Sequence, residues 1–358
     1  MSSPRILQLI DSLATGGAER MAVNYANALL EQTGFAALVA SRKEGPLKEQ
    51  VHSGVAYLFL NKKRTIDLAS VLQLRRFIKE HRIEYIHAHS SSYFLAVLIK
   101  LVYPGIKIIW HDHYGNSEFL KQRAKAALKP ASYLFRGIIS VNSKLVVWAK
   151  KELHCENIIY LPNFVYFQDN YEQETFLRGV AGKRIVCLAN LREQKNHFML
   201  LELAERLRDY DSEWTFHLVG KDFQDEYSQK IKERIAQKKL EQQVFILGAK
   251  NDIPAILAQT EIGILTSKSE GLPVALLEYA YCQQAVICTD VGEIGQVIQQ
   301  FENGVLVSSI NTEAFYRALI QVIENNELRN QYKTKLHQHI LQNYTPTAVL
   351  NKYLNWLK

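Results

Sequence analysis

The chain has 358 residues, 47% hydrophobic and 22% charged, with only 8 Pro and 17 Gly. Such a composition buries a core and the length suits two ordinary domains, which excludes a disordered chain and a single small module. Charge is divided unevenly: residues 1–165 hold 22 Lys and Arg against 12 Asp and Glu, net +10, while residues 166–358 hold 21 against 24, net −3.

In chain order, Arg5 to Ile10 reads as a strand, followed by a turn at Gly16-Gly17 and a helix from Ala18 to Leu30. Further strands are predicted at 36–40, 56–60, 85–89, 107–111 and 137–141, with helices around 66–81, 92–102 and 118–134. Tyr160-Leu-Pro-Asn-Phe164 and the polar stretch 168–178 break the pattern and read as a connector. A second alternation follows: strands at 184–189, 215–219, 244–247, 262–266 and 285–289, and helices at 195–209, 226–238, 253–258 and 273–281. The tail 344–358 reads as a short amphipathic helix. Strands alternating with helices imply an α/β chain of two doubly wound parallel sheets, with domains at 1–165 and 166–343 and a ligand cleft between them.

The longest apolar runs, Tyr93 to Tyr103 and Ile158 to Phe167, fall short of the roughly 20 residues that cross a bilayer. Met1 to Asp11 lacks a signal-peptide core, so a cytoplasmic location is expected. Four cysteines without Cys-x-x-Cys spacing read as buried free thiols. Between Phe119 and Lys151 no acid occurs, yet Lys121, Arg123, Lys125, Lys129, Arg136, Lys144, Lys150 and Lys151 are interleaved with apolar residues. This suits anionic lipid at the inner membrane face or a polyphosphate, and equally a solvated helix face.

Four constellations carry chemistry. After the first strand, Gly16 and Gly17 permit a positive φ and a close backbone approach, and the helix start offers N–H groups to an anion; a tight turn would use the same glycines. They lack the Gly-x-Gly-x-x-Gly spacing of a dinucleotide site. Ser267-Lys-Ser-Glu-Gly-Leu-Pro-Val-Ala-Leu-Leu-Glu278 follows an apolar strand and opens a helix at Pro273, so the N–H groups from Gly271 onward suit a diphosphate. Glu270 and Glu278 beside a phosphate suggest acids that accept from sugar hydroxyls, although a capped helix with an acidic first turn fits too. Arg192 and Lys195 occupy a loop at the same expected sheet edge, as phosphate ligands or as solvated bases. Trp110-His-Asp-His-Tyr114 ends a first-half strand; one histidine poised by Asp112 or by a backbone group fits better than a metal site, because no third ligand cluster accompanies His111 and His113, and a buried structural pair stays open.

Together these residues resemble family 4 of the retaining glycosyltransferases, over nearly the whole chain. The resemblance implies a GT-B fold of two Rossmann-like lobes, with 344–358 crossing back to the first, a nucleotide-sugar donor in the second lobe and an acceptor in the first. It implies Glu270 on the donor sugar, Glu278 on the ribose, Arg192, Lys195 and the backbone N–H groups near Gly271, Leu272 and Pro273 on the diphosphate, and Gly248 to Asp252, with Lys250, around the base. Gly16 and Gly17 would lie near donor phosphate and acceptor, and His113 near the donor sugar. Asn190, Gln283, Ala285 and Glu293 depart from the family pattern.

The expected activity is metal-independent retaining transfer of a hexose-type sugar, UDP-linked rather than GDP-linked, to a glycan acceptor on a lipid diphosphate. No cofactor and no nucleic-acid partner is expected. Rivals are a sugar-nucleotide epimerase of the same fold, a non-catalytic sugar-nucleotide-binding subunit and, more remotely, a dehydrogenase.

Overall fold

The computed structural model describes residues 3–115, 117–167, 172–308 and 311–358. They form two compact units, one running to Tyr166 and taking in Thr345–Lys358, the other Phe167–Tyr344. The first contains strands β1 (Ile6–Ser12), β2 (Ala37–Lys43), β3 (Ala56–Phe59), β4 (Tyr85–His89), β5 (Lys107–Asp112), β6 (Phe135–Ser140) and β7 (Ile158–Tyr160), with helices α1 (Gly17–Thr33), α2 (Leu68–Glu80), α3 (Tyr93–Val102), α4 (Leu128–Ala131) and α5 (Ser143–Glu152). The second contains β8 (Arg184–Leu188), β9 (Thr215–Val219), β10 (Val244–Gly248), β11 (Ile262–Leu265), β12 (Ala285–Thr289) and β13 (Val305–Val307). Its helices are α6 (His197–Tyr210), α7 (Glu226–Gln237), α8 (Ile253–Leu257), α9 (Val274–Tyr281), α10 (Ile294–Val297), α11 (Thr312–Glu324) and α12 (Asn326–Asn343). The last helix, α13 (Pro346–Leu357), belongs to the first unit.

Both sheets are parallel and doubly wound, with strand orders β3-β2-β1-β4-β5-β6-β7 and β10-β9-β8-β11-β12-β13. In each, the order reverses beside the unit's first strand, between β1 and β4 and between β8 and β11. In sheets of this kind the loops that leave the carboxyl ends of those two strands diverge, which makes the reversal the usual place for a ligand.

The two-residue period of a strand decides what each face of the first sheet carries. Leu7, Leu9, Ile86, Ala88, Ile108 and Trp110 pack under α2, α3 and α5. The intervening residues Gln8, His87, His89 and His111 point the other way, towards Tyr25 of α1 and Tyr353 of α13, whose rings lie 4.8 and 5.2 Å from that of His87. Helix α13 is anchored there by Tyr353, and by Trp356, whose indole nitrogen donates to Asn157 (2.7 Å). A Cβ on Gly137 would lie 2.4 Å from the Trp356 ring, so β6 has no side chain where that ring lies.

Several expectations need correction. The helix expected over 118–134 is instead a short 3₁₀ turn (Ser117–Gln122), the single-turn α4 and a second 3₁₀ turn (Ser132–Leu134). Arg123 is drawn inward to a two-pronged bond with buried Asp112 (2.7 Å for each), and Pro130 removes a helical donor. Pro273 is extended (ψ 127°) and caps α9 rather than starting it. All four cysteines are free, but Cys282 is only half-buried. Of the connector 168–178, residues 168–171 lie outside the described residues.

Gln283 adopts φ 55° just past the end of α9, where Gln284 N–H donates to Tyr279 O and Gln283 N–H to Ala280 O. That is the bonding of a Schellman cap, whose left-handed residue is usually glycine because a Cβ is strained there. Gln283→Gly should therefore raise stability by about 1 kcal/mol, read as a higher denaturant midpoint at unchanged slope. An unchanged or lower midpoint would contradict this account.

Candidate active site

The strongest constellation lies at the reversal of the second sheet. After β8 the chain makes a 3₁₀ turn, Glu193–Lys195, and enters α6 through Asn196, held in the left-handed region at φ 52°, which asparagine tolerates. The loop after β11 is laced to it. Thr266 Oγ1 donates to the carbonyls of Lys195 (3.0 Å) and Asn196 (3.2 Å), Gln194 Nε2 donates to Ser269 O (2.7 Å), and Lys268 N–H donates to Gln194 O (2.8 Å). These bonds hold Lys195 Nζ 2.5 Å from Glu270 Oε1, which also accepts from Ser267 Oγ at 2.7 Å. The Glu270 side chain is 6% exposed and that of Lys195 21%, so the carboxylate is almost enclosed while the ammonium keeps an edge to solvent.

Around this pair, Gly271, Leu272 and Pro273 are buried and lead into α9, where Leu276 N–H donates to Pro273 O (3.1 Å) while the N–H groups of Val274 and Ala275 come before any helical carbonyl that could accept from them. Gly292, at φ 62°, lies against that segment: a Cβ would meet Glu270 O at 2.3 Å, and Glu293 N–H donates to Gly271 O at 2.9 Å. The Gly292-Glu293 pair thus keeps its glycine where the backbone demands one. Glu278, 7% exposed, lies on the same helix as those amides.

Other expected residues fall differently. Arg192 is exposed and stacks over Phe223, 4.5 Å from the ring centre, while Asn190 Oδ1 accepts from Lys221 N–H at 2.7 Å. Gly248 has φ 71° at a bulge in β10, and Lys250 is half-buried just beyond it. Asp252, expected beside a base, is committed elsewhere: it accepts from the amides of Glu174 and Thr175 and from the Thr175 hydroxyl, fastening the connector to α8.

In the first unit, Gly16 caps α1 in extended conformation (φ −166°) and neither glycine of the pair has a positive φ, contrary to expectation. Gly16 leaves room for the carboxylate of Glu19, since a Cβ there would lie 2.3 Å from Glu19 Oε2, while a Cβ on Gly17 would meet nothing. An anion bound at this helix start would have to displace that carboxylate.

Asp112 does not poise a histidine either. Alternation puts its carboxylate on the sheet face opposite to His111, where Arg123 holds it, and burial raises its pKa. His113 bonds instead through Nε2 to His89 Nδ1 (2.9 Å), and His87 Nε2 bonds to His111 Nδ1 (2.9 Å). The expectation that no third imidazole accompanies His111 and His113 is therefore overturned. His87-Ala-His89 repeats the His-x-His spacing of His111-Asp-His113 on the neighbouring strand, a repeat that the sequence itself carries.

Desolvation holds His87, His89 and His111 well below the usual histidine pKa and lowers His113 to about 3, so all four are neutral near pH 7. Ring nitrogens of His87, His89 and His111 lie within 4.8 Å of one another and are the described group able to hold a metal. A bound cation would have to break the imidazole pairs in a fully buried site, and Asp112, the nearest acid in sequence, is taken by Arg123.

Two family descriptions match the chain: "Glycosyltransferase Family 4" over residues 15–168 and "Glycosyl transferases group 1" over residues 173–339. Among curated relatives, a poly(ribitol-phosphate) alpha-N-acetylglucosaminyltransferase of Staphylococcus aureus is 23% identical over 71% of this chain; the match spans half the length of that enzyme. The N-acetylgalactosamine-N,N'-diacetylbacillosaminyl-diphospho-undecaprenol 4-alpha-N-acetylgalactosaminyltransferase of Campylobacter jejuni is 26% identical, covering 78% of this chain and 69% of its own. Among solved structures, HepE of Anabaena in complex with UDP and glucose superposes with TM-score 0.79 at 15% identity, covering 99% of both chains.

Proposed function

Because the chain belongs to the family 4, group 1 glycosyltransferases of GT-B fold, we propose that it moves a hexose-type sugar from a UDP-sugar to a lipid-linked glycan with retention of anomeric configuration. The observation that carries this reading is the Lys195–Glu270 pair at the reversal of the second sheet, beside the start of α9. Cleaving the bond between anomeric carbon and diphosphate builds negative charge on the leaving oxygen and positive charge on the sugar ring. A cation already positioned by a buried carboxylate, with helix-start amides beside it, stabilises that oxygen without reorganising. Arg192 adds a second positive charge to the same loop, and Glu270 and Glu278 accept from hydroxyls of sugar and ribose.

With the leaving charge met by protein cations, the step needs no divalent metal. The acceptor hydroxyl attacks from the side the diphosphate leaves and passes its proton to the departing oxygen, so no carboxylate nucleophile is required, unlike in a retaining glycosidase. Two printed names support the donor and acceptor classes: the Anabaena structure holds UDP, and the Campylobacter relative acts on a diphospho-undecaprenol glycan.

A panel of nucleotide sugars tests the donor. A UDP-sugar at about 100 times its Kd stabilises the native state by about 2.7 kcal/mol, so its melting temperature should rise while GDP-sugars leave it unmoved. If no UDP-sugar shifts the melting curve, the reading is abandoned; free epimerised UDP-sugar formed without acceptor would favour an epimerase.

The membrane partner rests on a narrower set of bases than the sequence suggests. Arg123 is buried on Asp112 and Lys125 pairs with Glu152, but Lys121, Lys129 and Lys150 are exposed, together with Phe119, Tyr133 and Val147. No helix among the described residues is long and apolar enough to cross a membrane. Co-sedimentation with anionic vesicles should be lost when Lys121, Lys129 and Lys150 are each changed to Glu; binding that survives would remove the membrane from the proposal.

A further inference from the structure

At the carboxyl edge of the first sheet the segments after β1, β2 and β3 are tied together: Leu13 N–H donates to Lys43 O (3.0 Å) and Lys62 N–H to Ser41 O (2.8 Å). Asn61, left-handed at φ 50°, turns the chain so that Lys62 comes back against β2. Ser41 Oγ and Ser91 Oγ donate to the two carboxylate oxygens of Asp11, at 2.6 and 2.7 Å. Arg42 Nε stays 4.0 Å from Asp11 Oδ1, beyond hydrogen-bond reach, and its side chain is exposed. Lys62 is the unusual member. It is only 4% exposed, yet among the described residues no hydrogen bond or ion pair holds its ammonium. Burial, and after it the charge of Arg42, lower its pKa, against a weaker pull from Asp11 and Asp67. Both acids have other partners, since Asp67 Oδ1 accepts from Ser70 N–H (3.1 Å) as the cap of α2. A buried cation without a partner destabilises a fold, and such groups concentrate where a ligand supplies the missing charge.

We propose that Lys62 and Arg42 form an anion site for a diphosphate carried on an apolar chain, the lipid diphosphate of the acceptor. Lys62 supplies a compact point charge and Arg42 a planar fork that can donate to two oxygens of one phosphate. Lys43, Lys63 and Arg64, all exposed, extend the positive edge on either side, while Glu44 accepts from the Tyr57 hydroxyl (2.8 Å). The apolar chain follows from what stands beside the bases. Ile66 and Leu68 flank Asp67, whose charge acts on Lys62, and Leu72 lies one turn further along α2 on the face of Leu68; all three are exposed. Free phosphate would leave these side chains in water, whereas a prenyl or acyl chain leaving the diphosphate would cover them. Every residue of the site belongs to the first unit. The identity of the lipid rests on the acceptor proposed above; the pairing of the two bases with phosphate does not.

Calorimetric titration of the full chain with farnesyl diphosphate, farnesol and inorganic pyrophosphate tests this. Farnesyl diphosphate should bind about tenfold more tightly than pyrophosphate, and farnesol should not bind. Lys62→Met keeps the stem and removes the charge, so it should weaken both phosphates by about tenfold, the worth of one charged hydrogen bond. The same variant should raise the denaturant midpoint, because the buried ammonium had no partner; a lysine with a merely structural role would give the opposite sign. A lower midpoint, or affinities within about twofold of the parent, overturns the site. Arg42→Gln, at an exposed position that leaves folding intact, should weaken the phosphates in the same way. Leu68→Ser with Leu72→Ser should weaken farnesyl diphosphate and spare pyrophosphate; equal affinity of the parent for the two phosphates overturns the lipid as ligand. In turnover with a lipid-diphosphate acceptor, Lys62→Met should raise the acceptor KM about tenfold and leave the donor KM unchanged. The two levels fail separately. Phosphate binding that depends on Lys62, in a chain whose melting curve no UDP-sugar shifts, keeps the site and removes the transfer reaction. A UDP-sugar shift, with phosphate binding indifferent to Lys62 and Arg42, does the reverse.

Discussion

Lys195→Ala is expected to lower the rate of sugar transfer by about 10²- to 10³-fold, the loss seen when one preorganised donor to a developing oxyanion is removed. The ammonium is held 2.5 Å from Glu270 by a carboxylate that itself accepts from Ser267. Its position therefore costs nothing at the moment of reaction. Two quantities should change together. kcat falls because the leaving diphosphate loses its cation, and stability falls by about 3–5 kcal/mol because the almost enclosed Glu270 is left without its counter-charge. Glu270→Gln keeps the shape, relieves that second loss and frees Lys195, so it should melt nearer the parent and still transfer poorly. The double variant Lys195→Ala/Glu270→Gln should lose less activity than the two single losses multiplied, because the residues act as a unit. Single-turnover assays with melting curves on the same samples check this. Transfer within about threefold of the parent in Lys195→Ala would remove the leaving-group role.

Mild acid should unfold the first unit. His87, His89 and His111 are fully buried and neutral, with pKa values held far below 6.5 by desolvation. The unfolded chain takes up protons on these residues below pH 6.5 and the folded chain does not. Their contribution is thus intact above that pH and is lost as pH falls towards the folded values, by about 1.4 kcal/mol per pH unit for each histidine. All three act in the same direction, against a domain stability of only about 5–15 kcal/mol. In the second unit, desolvation lowers His197 and His217 only to about 4, and they are fewer, so that unit should outlast the first. Trp110, Trp148 and Trp356 belong to the first unit and Trp214 to the second, which makes tryptophan fluorescence a report mainly on the unit expected to fail. Melting temperatures should fall steeply from pH 6.5 to 5, and His87→Gln should flatten the slope by about one histidine's share. A flat profile across that range would mean that the cluster takes up protons without unfolding.

Much of the fold is legible because strand and helix periods are local properties. Tyr85–His89, Thr215–Val219 and Ala285–Thr289 form over the residues that their apolar runs mark out. The segment 118–134 misleads for an equally local reason: its spacing is helical, but the demand of buried Asp112 for a counter-charge lies outside it and pulls Arg123 off the helical path. Gln283 shows the converse. It departs from the family pattern, yet the backbone keeps the left-handed turn and accepts the strain. In the second unit, the motif around Glu270 could be read as a helix-start anion site, but its tie to Lys195 spans 75 residues and no periodicity encodes it.

The amino-acid order alone determined that two parallel, doubly wound sheets would form, and which loops would leave their carboxyl ends, because alternating apolar periods dictate strands and crossover helices. It also placed His87, His89, His111 and Gln8 on one face of their strands, since side chains alternate. Only the tertiary structure decided which groups became partners. Lys195 met Glu270, Asp112 took Arg123 in place of a histidine, and His89 stood between Gln8 and His113. Each choice is a matter of desolvation: a buried polar group is stable only beside its complement, and which complement lies within 3 Å is set by how neighbouring strands and their loops come together.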